Sequence, residues 1–401
     1  ILYFENTGSA TSPVITEQNG ISGTYIAAPE LVDMDNDGDL DLLVGSYSYY
    51  DDDEKLMYFK NMGSATDPVF EKQEGENNPF TGVGLNYYTI PVMVDIDNDG
   101  DYDLFTPKEK ESEYGSATMG FYKNVGSASD PAFQEQSGAD NPLNDLEFNE
   151  VAIADFADID GDGDYDCFIG VYDEMTESGT VKFLRNIGDA ENPEFEETTG
   201  LLPDDLGYSY IIKPVFADID ADGDLDCLLG MYLEGYYQGS YFEGGILKYY
   251  KNNGTTTEPD LQLQTGSDNP FADLAPWSYF YLPDLADVDS DGDVDLLLGV
   301  YGGALLYFKN NTNSDAIQNN NFAPINKVYP NPTDGFTSIQ LSKYSDSEIH
   351  IELYDYLGEK IDVYNFDSNK IELDIRHLPS GVYFAKIKQG NMVSSAKSIR
   401  K

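Results

Sequence analysis

Histidine is nearly missing from this chain: two in 401 residues, His350 and His377, both near the C-terminal end. The long acidic region before them therefore has no imidazole for a Ser-His-Asp triad or a zinc site. Cysteine is as scarce. Cys167 and Cys227 are the only two, too few for a disulfide scaffold. Basic residues are scarce as well: 22 Lys+Arg against 74 Asp+Glu, a net charge of −52. The deficit is uneven. Residues 327–401 hold ten of each sign, so the first 326 residues, with 12 basic and 64 acidic, carry all of it. Such a surface repels nucleic acid and anionic membranes. There is no transmembrane run and no signal-peptide pattern. Acidity of this degree is also a mark of disorder, but 13% aromatic residues and repeated apolar runs argue for a folded chain. Its length is enough for two or more domains.

What the chain has in quantity is one acidic phrase. Asp33-Met34-Asp35-Asn36-Asp37-Gly38-Asp39-Leu40-Asp41 follows the pattern D-x-D-x-D-G-D-x-D. The pattern recurs with Asp95, Asp97, Asp99, Asp101 and Asp103, then with Asp158, Asp160, Asp162, Asp164 and Asp166. It recurs again with Asp218, Asp220, Asp222, Asp224 and Asp226, and with Asp287, Asp289, Asp291, Asp293 and Asp295. The starts are 62, 63, 60 and 69 residues apart. Carboxylates this close repel and need a counter-ion. Oxygen ligands on a short turn suit a hard cation, and Ca²⁺ takes six to eight of them. The expected ligands in the first copy are the side chains of Asp33, Asp35 and Asp37, the carbonyl of Asp39, and Asp41 closing the shell, with Gly38 allowing the turn. This is not an EF-hand. The twelfth positions are Val44, Thr106, Ile169, Leu229 and Leu298 instead of Glu, and the flanks read as buried strands, not helices. The loop is expected to join two strands of a hairpin.

A second phrase follows each loop, in the first full unit as Leu56-Met57-Tyr58-Phe59-Lys60-Asn61-Met62-Gly63-Ser64-Ala65-Thr66-Asp67-Pro68-Val69-Phe70. The run from Leu2 to Val14 repeats it at the N-terminal end. Each unit then has four strand candidates in about 60 residues, the grammar of a β-propeller blade. A β-solenoid and a string of separate modules are the alternatives, but a unit this small cannot bury both faces alone. Cys167 and Cys227 take the repeat position that Leu42, Leu104 and Leu296 fill elsewhere. They read as two buried thiols acting as small apolar side chains; a disulfide between adjacent blades is the alternative.

These loops and strands resemble the FG-GAP/VCBS repeats over residues 1–312. That resemblance implies a calcium-binding propeller of the kind found in cell-surface and secreted proteins, commonly seven-bladed. Five units are visible here. The N-terminal copy of the third-strand phrase would be surplus in a five-bladed ring, so the expectation is a fragment of a larger ring. Pro107 stands where Gly45, Gly170, Gly230 and Gly299 follow the other second strands, which puts the loop after it in question.

Residues 313–326 are mostly polar and read as a linker. Beyond them the grammar changes, with Val328-Tyr329-Pro330-Asn331-Pro332, Tyr354-Asp355-Tyr356-Leu357-Gly358 and Leu378-Pro379-Ser380-Gly381-Val382-Tyr383-Phe384. Short alternating strands in about 75 residues give a small β-sandwich. Residues 327–401 are similar to the type A C-terminal sorting domain of the type IX secretion system. That similarity implies contact with the secretion machinery and export to the outside or outer surface of a Gram-negative bacterium.

The expected fold is thus all-β: propeller blades followed by a small sandwich. The expected function is an adhesion, ligand-binding or scaffold module stabilised by Ca²⁺, without catalysis of its own. The alternatives are an accessory propeller of an exported enzyme whose catalytic domain lies upstream, or a carbohydrate-binding lectin. The loops opposite the metal hairpins are rich in Tyr, among them Tyr47, Tyr49, Tyr50, Tyr87, Tyr208, Tyr210, Tyr232, Tyr236, Tyr237, Tyr241, Tyr279, Tyr281 and Tyr301, with Trp277. Such side chains suit a protein or sugar partner or pack between blades.

Overall fold

In the computed structural model the chain forms two compact units, Ile1–Asn313 and Ser314–Lys401. The structure describes residues 3–6, 15–18, 26–46, 55–85, 88–109, 117–148, 152–173, 177–209, 211–237, 240–272, 274, 278–310, 325–329, 335–341, 349–354, 360–366, 370–379, 381–389 and 392–400.

In the first unit, β1 (Tyr3–Asn6) and β2 (Ile15–Gln18) form a two-stranded sheet. Blade one follows with β3 (Ala27–Val32), β4 (Asp41–Ser46), β5 (Leu56–Asn61) and β6 (Phe70–Gln73). Blade two has β7 (Val92–Val94), β8 (Asp103–Glu109), β9 (Ala117–Asn124) and β10 (Phe133–Gln136). Blade three has β11 (Ile153–Ala157), β12 (Asp166–Asp173), β13 (Ser178–Asn186) and β14 (Phe195–Thr198). Blade four has β15 (Ile212–Ala217), β16 (Asp226–Tyr237), β17 (Ser240–Asn252) and β18 (Leu261–Leu263). Blade five has, among the described residues, three strands, β19 (Tyr281–Ala286), β20 (Asp295–Val300) and β21 (Leu305–Phe308). Every blade is an antiparallel meander in sequence order.

Burial peaks in the second strand of a blade and is lowest in the fourth. The second strands β4 and β20 are buried at every residue, which is why they read as continuous apolar runs. The fourth strands β6, β10 and β14 have no buried residue and all carry Glu, with Gln in β6 and β10. Apolar side chains of adjacent blades form shared cores: Leu43 with Met93 and Leu104, Phe105 with Phe156, Phe168 with Leu229, Leu228 with Leu298, and Leu297 with Val44. The last of these joins blade five to blade one, so the five sheets close into a ring.

Three further contacts make the same closure. Asp284 of β19 accepts the Leu31 N–H of β3 at 2.7 Å, Ile26 bridges Tyr301, and a Cβ on Gly299 would overlap the Ala27 carbonyl oxygen. Gly45, Gly170 and Gly230 face the next blade's inner strand in the same way. The expected fragment of a larger ring is therefore corrected. Blade five packs directly on blade one, and among the described residues no further sheet stands between them. The N-terminal phrase forms its own two-stranded sheet, the β1–β2 hairpin, with β1 beside β21 of blade five and in the register of a third and fourth strand: Asn6 faces Ile15 as Asn61 faces Phe70. Pro107 does not end its strand, since β8 runs on to Glu109 with Pro107 opposite Met119.

The ring axis is filled. Ala28, Ile90, Ile153 and Leu282 form one apolar layer. At the fourth blade's equivalent position stands Lys213, 1% exposed. Its Nζ donates to the Pro29 carbonyl at 3.0 Å and lies 3.6 Å from Glu30 Oε2, reaching across the axis to blade one. Two residues further along the inner strands are Glu30, Val92, Asp155, Val215 and Asp284. Each acid accepts an inner-strand N–H of the next blade: Glu30 from Met93 at 2.8 Å, Asp155 from Phe216 at 2.9 Å, and Asp284 from Leu31. Burial pushes the Asp155 carboxyl up to about 7, with Lys213 pulling it down. Burial and the Asp284 carboxylate hold Glu30 well above the usual carboxylate range.

In the second unit, β22 (Ile325–Tyr329), β23 (Phe336–Leu341), β24 (Ile349–Tyr354), β25 (Lys360–Phe366), β26 (Lys370–Asp374), β27 (Gly381–Gln389) and β28 (Met392–Arg400) form two sheets. Their orders are β22-β23-β26 and β25-β24-β27-β28. Ile339, Ile371 and Leu373 of one pack with Ile351, Leu353 and Ile387 of the other, giving the expected small sandwich. Most of the expected linker lies outside the described residues, and β22 starts within its last two positions.

Candidate metal centres

Each acidic phrase joins the first and second strands of a blade, and its own side chains fold it. Asp33 Oδ1 accepts the Asp37 N–H and its Oδ2 the Gly38 N–H, both at 3.0 Å. Asp95, Asp158, Asp218 and Asp287 make the same pair of bonds. The fifth-position carboxylate accepts the seventh residue's N–H, at 3.1 Å in Asp99–Asp101. Two left-handed residues turn the chain. The sixth is always Gly, with φ of 95° at Gly38. The fourth is Asn36, Asn98, Gly161, Ala221 or Ser290, with φ between 53° and 68°.

This folding brings three carboxylates together in every blade. Ligand oxygens of Asp33, Asp35 and Asp37 lie within 4.8 Å of one another, as do those of Asp95, Asp97 and Asp99, of Asp158, Asp160 and Asp162, of Asp218, Asp220 and Asp222, and of Asp287, Asp289 and Asp291. Oδ1 of the third-position Asp35, Asp97, Asp160 and Asp289 is buried and meets no hydrogen-bond donor. The same is true of Oδ1 of the seventh-position Asp164 and Asp224. Burial, then the neighbouring Asp162 and Asp158 carboxylates, pushes Asp164 up; Asp39 and Asp224 are raised in the same way. All-oxygen clusters of three partly exposed carboxylates, with individual oxygens buried and without a donor, fit a hard divalent cation.

The ninth Asp serves the sheet. Asp41, Asp103, Asp166, Asp226 and Asp295 are at most 2% exposed. Oδ1 of each accepts the N–H of an Asn: Asn61, Asn124, Asn186 and Asn252 at the end of the third strand and Asn310 two residues beyond β21, at 2.6 to 2.8 Å. In blades one, four and five Oδ2 accepts a tyrosine hydroxyl, from Tyr58, Tyr249 and Tyr307. Blades two and three have Phe121 and Phe183 in that place, and Oδ2 of Asp103 and Asp166 meets no donor. Burial pushes Asp41, Asp226 and Asp295 up to about 6, and Asp103 and Asp166 up to about 7.

One partner of the loops escaped the sequence reading. The residue before that Asn is always basic, and it reaches the third- and fifth-position carboxylates. Lys60 pairs with Asp35 and lies 3.4 Å from Asp37; Lys123 pairs with Asp97 and lies 3.2 Å from Asp99. Arg185, Lys251 and Lys309 do the same in blades three to five. The repeated Lys-Asn or Arg-Asn dipeptide was the available signal. The rest of that phrase is a turn: Asn61 Oδ1 accepts the Gly63 and Val69 N–H groups, both at 2.9 Å.

On the other face, Tyr279 and Tyr301 are 54% and 48% exposed, with ring centroids 5.3 Å apart. Tyr208 is exposed beside Tyr172. Tyr232 and Tyr281 are buried and belong to the packing between blades. Tyr47, Tyr49, Tyr50, Tyr87, Tyr210 and Trp277 lie outside the described residues. Cys167 and Cys227 are free and fully buried.

The fold and its loops define a five-bladed propeller with an acidic hairpin in every blade. Residues 158–229 match the family described as FG-GAP-like repeat, and residues 327–401 match that described as Secretion system C-terminal sorting domain. The chain thus carries FG-GAP-like repeats and a C-terminal sorting domain, which directs it to the outside or outer surface of a Gram-negative bacterium. Among solved structures it is similar to a fructofuranosidase from Schwanniomyces occidentalis complexed with fructose. The identity is 9%, over 95% of this chain and 90% of that one, at a TM-score of 0.46. An exo-beta-1,3-galactanase from Phanerochaete chrysosporium with beta-1,3-galactotriose aligns at 7% identity over 100% and 98% of the chains, at a TM-score of 0.35. No curated protein matches. Among the described residues no helix is long and apolar enough to cross a membrane.

Proposed function

We propose that this protein is an exported, calcium-stabilised propeller that acts as a binding or scaffold module and performs no catalysis itself. The observation that carries the calcium reading is the recurrence, in all five blades, of three converging carboxylates. In four of them the third-position carboxylate also keeps an oxygen buried without a donor. The first, third and fifth Asp of each loop would hold the ion, which would supply the positive charge that lets them approach. The axial acids Glu30, Asp155 and Asp284 are each committed to a backbone N–H, which supports a structural role for them.

Calorimetry on metal-free protein is expected to give five Ca²⁺ per chain, and fewer than three overturns the reading. With a dissociation constant of roughly 0.1 mM, typical of extracellular sites, and about 1 mM free Ca²⁺, each site adds about 1.4 kcal/mol. Five independent sites add about 7 kcal/mol. Chelation should therefore lower the melting temperature strongly, and equal melting with and without chelator refutes a structural role for calcium.

The exposed Tyr279–Tyr301 pair favours a carbohydrate ligand as the second reading, since rigid aromatic faces with polar tips suit sugar rings. A glycan array on the calcium-loaded protein and on Tyr279→Ala tests it. Binding that is lost in the variant supports the lectin reading, and an array without signal removes it.

A further inference from the structure

Basic residues are rationed in the first 326 residues: 12 in all. Five of those 12, Lys60, Lys123, Arg185, Lys251 and Lys309, lie on the acidic loops, one per blade. Four of them are the penultimate residue of a third strand and Lys309 directly follows β21; each stands one residue before the Asn whose N–H is fixed by the ninth Asp. The sheet register therefore delivers the same cation to the same two carboxylates five times.

We infer that this strand-borne cation is a built-in stand-in for the metal, holding the third and fifth Asp together in the metal-free loop and competing with the metal for them. The inference rests on the calcium reading above. In blades one, two, three and five the basic group takes Oδ2 of the third-position Asp, and Oδ1 of that same carboxylate is the buried oxygen without a donor. The side chain thus engages one oxygen and leaves its twin for an ion. The fifth-position carboxylate is shared too, with Lys251 3.0 Å from Asp222 and Lys309 2.9 Å from Asp291. A fixed positive charge beside a divalent cation weakens its binding, whereas without the cation it relieves repulsion among three carboxylates. One side chain therefore acts with opposite signs in the two states.

That sign reversal is the test, because an ordinary structural contact would favour both states. The full-length double variant Lys60→Gln/Lys251→Gln is compared with wild type and with Lys182→Gln, which removes a charge paired to Glu197 away from the loops. Calcium affinity is read by competition with a chelator, starting from the loaded protein, so that a variant that unfolds without metal still gives a constant. The expected result is roughly tenfold tighter binding at two of the sites, from the lost charge repulsion. A lower metal-free melting temperature should accompany it, while Lys182→Gln changes neither. Lys60→Arg should keep the wild-type behaviour at its site. Affinity that falls, or stays within twofold, in the double variant overturns the stand-in role while leaving calcium binding intact. Wild type that takes up no calcium overturns the calcium reading itself, and the competition with it.

Discussion

At the scale of single residues, the loops differ where a side chain is at odds with its backbone or its neighbour. Ala221 adopts φ of 59°, where blades one and two have Asn and blade three has Gly. A Cβ in this region costs about 1–2 kcal/mol, and Asn tolerates it better. Ala221→Asn should raise stability by about 0.5–1 kcal/mol in chemical denaturation, with calcium stoichiometry unchanged. Asp103 and Asp166 present the other conflict, a buried carboxyl oxygen beside Phe121 and Phe183. Phe121→Tyr supplies the hydroxyl that Tyr58 gives Asp41, and one such bond to a charged group contributes about 1.5–3 kcal/mol. The pH dependence follows from the raised carboxyls. Burial lifts Asp103 and Asp166 to about 7 in the folded state, above their unfolded value. The folded state binds more protons between the two values, so stability from these groups grows as pH falls through about 7 and is lost as pH rises through it. In chelator, Phe121→Tyr/Phe183→Tyr should shift that gain towards the value of about 6 found for Asp41. Identical pH profiles for the double variant and wild type would remove this account of the ninth position.

Elements were the most legible scale, because hairpins and their turns are local in sequence. Alternating Asp marked the turn, unbroken apolar runs marked the second strands, and the phrase ending in Asn-x-Gly marked the turn to the fourth strand. All five triads lie where the spacing put them. The ninth Asp was harder to place. It matches the others in type and spacing, yet its partners are a backbone N–H about 20 residues on and, in three blades, a tyrosine hydroxyl. The glycine that four of the five second strands carry, Pro107 replacing it in blade two, was visible as a pattern without a reason, since its partner belongs to the next blade. Gly299 shows this most clearly: a Cβ there would overlap the Ala27 carbonyl oxygen, 272 positions earlier in the chain. Gly299→Ala should cost about 1–3 kcal/mol, the range for overpacking. Gly84→Ala, where an added Cβ meets nothing within 4 Å, should cost little. Equal losses in thermal melts of the two variants would show that Gly299 is not a closure contact.

For the molecule as a whole, the sequence supplied the number of units but not the closure. Spacing shows five repeats, and the N-terminal phrase argued for more, since nothing local says which sheet meets which. The closure depends on contacts between distant residues, such as Leu31 with Asp284, and on an axis whose charges come from four blades. Among the described residues Lys213 is the single cation beside the axial acids Glu30, Asp155 and Asp284. Removing one partner of a buried charge cluster costs about 3–5 kcal/mol, because the remaining charges stay buried without compensation. Lys213→Met should therefore destabilise the ring by about that amount at pH 8. The deficit should be pH-dependent. Without the ammonium that pulls them down, the three carboxyls move further above their unfolded values. They are then neutral in the fold at mildly acidic pH, so the loss relative to wild type is greatest at high pH and shrinks as pH falls towards 5. Adding Glu30→Gln and Asp284→Asn removes two of the stranded charges and keeps an oxygen to accept the Met93 and Leu31 N–H groups. That triple variant should recover much of the stability at pH 8. A deficit that is the same at both pH values, or that the amides deepen, would show that Lys213 contributes packing to the axis and not charge compensation.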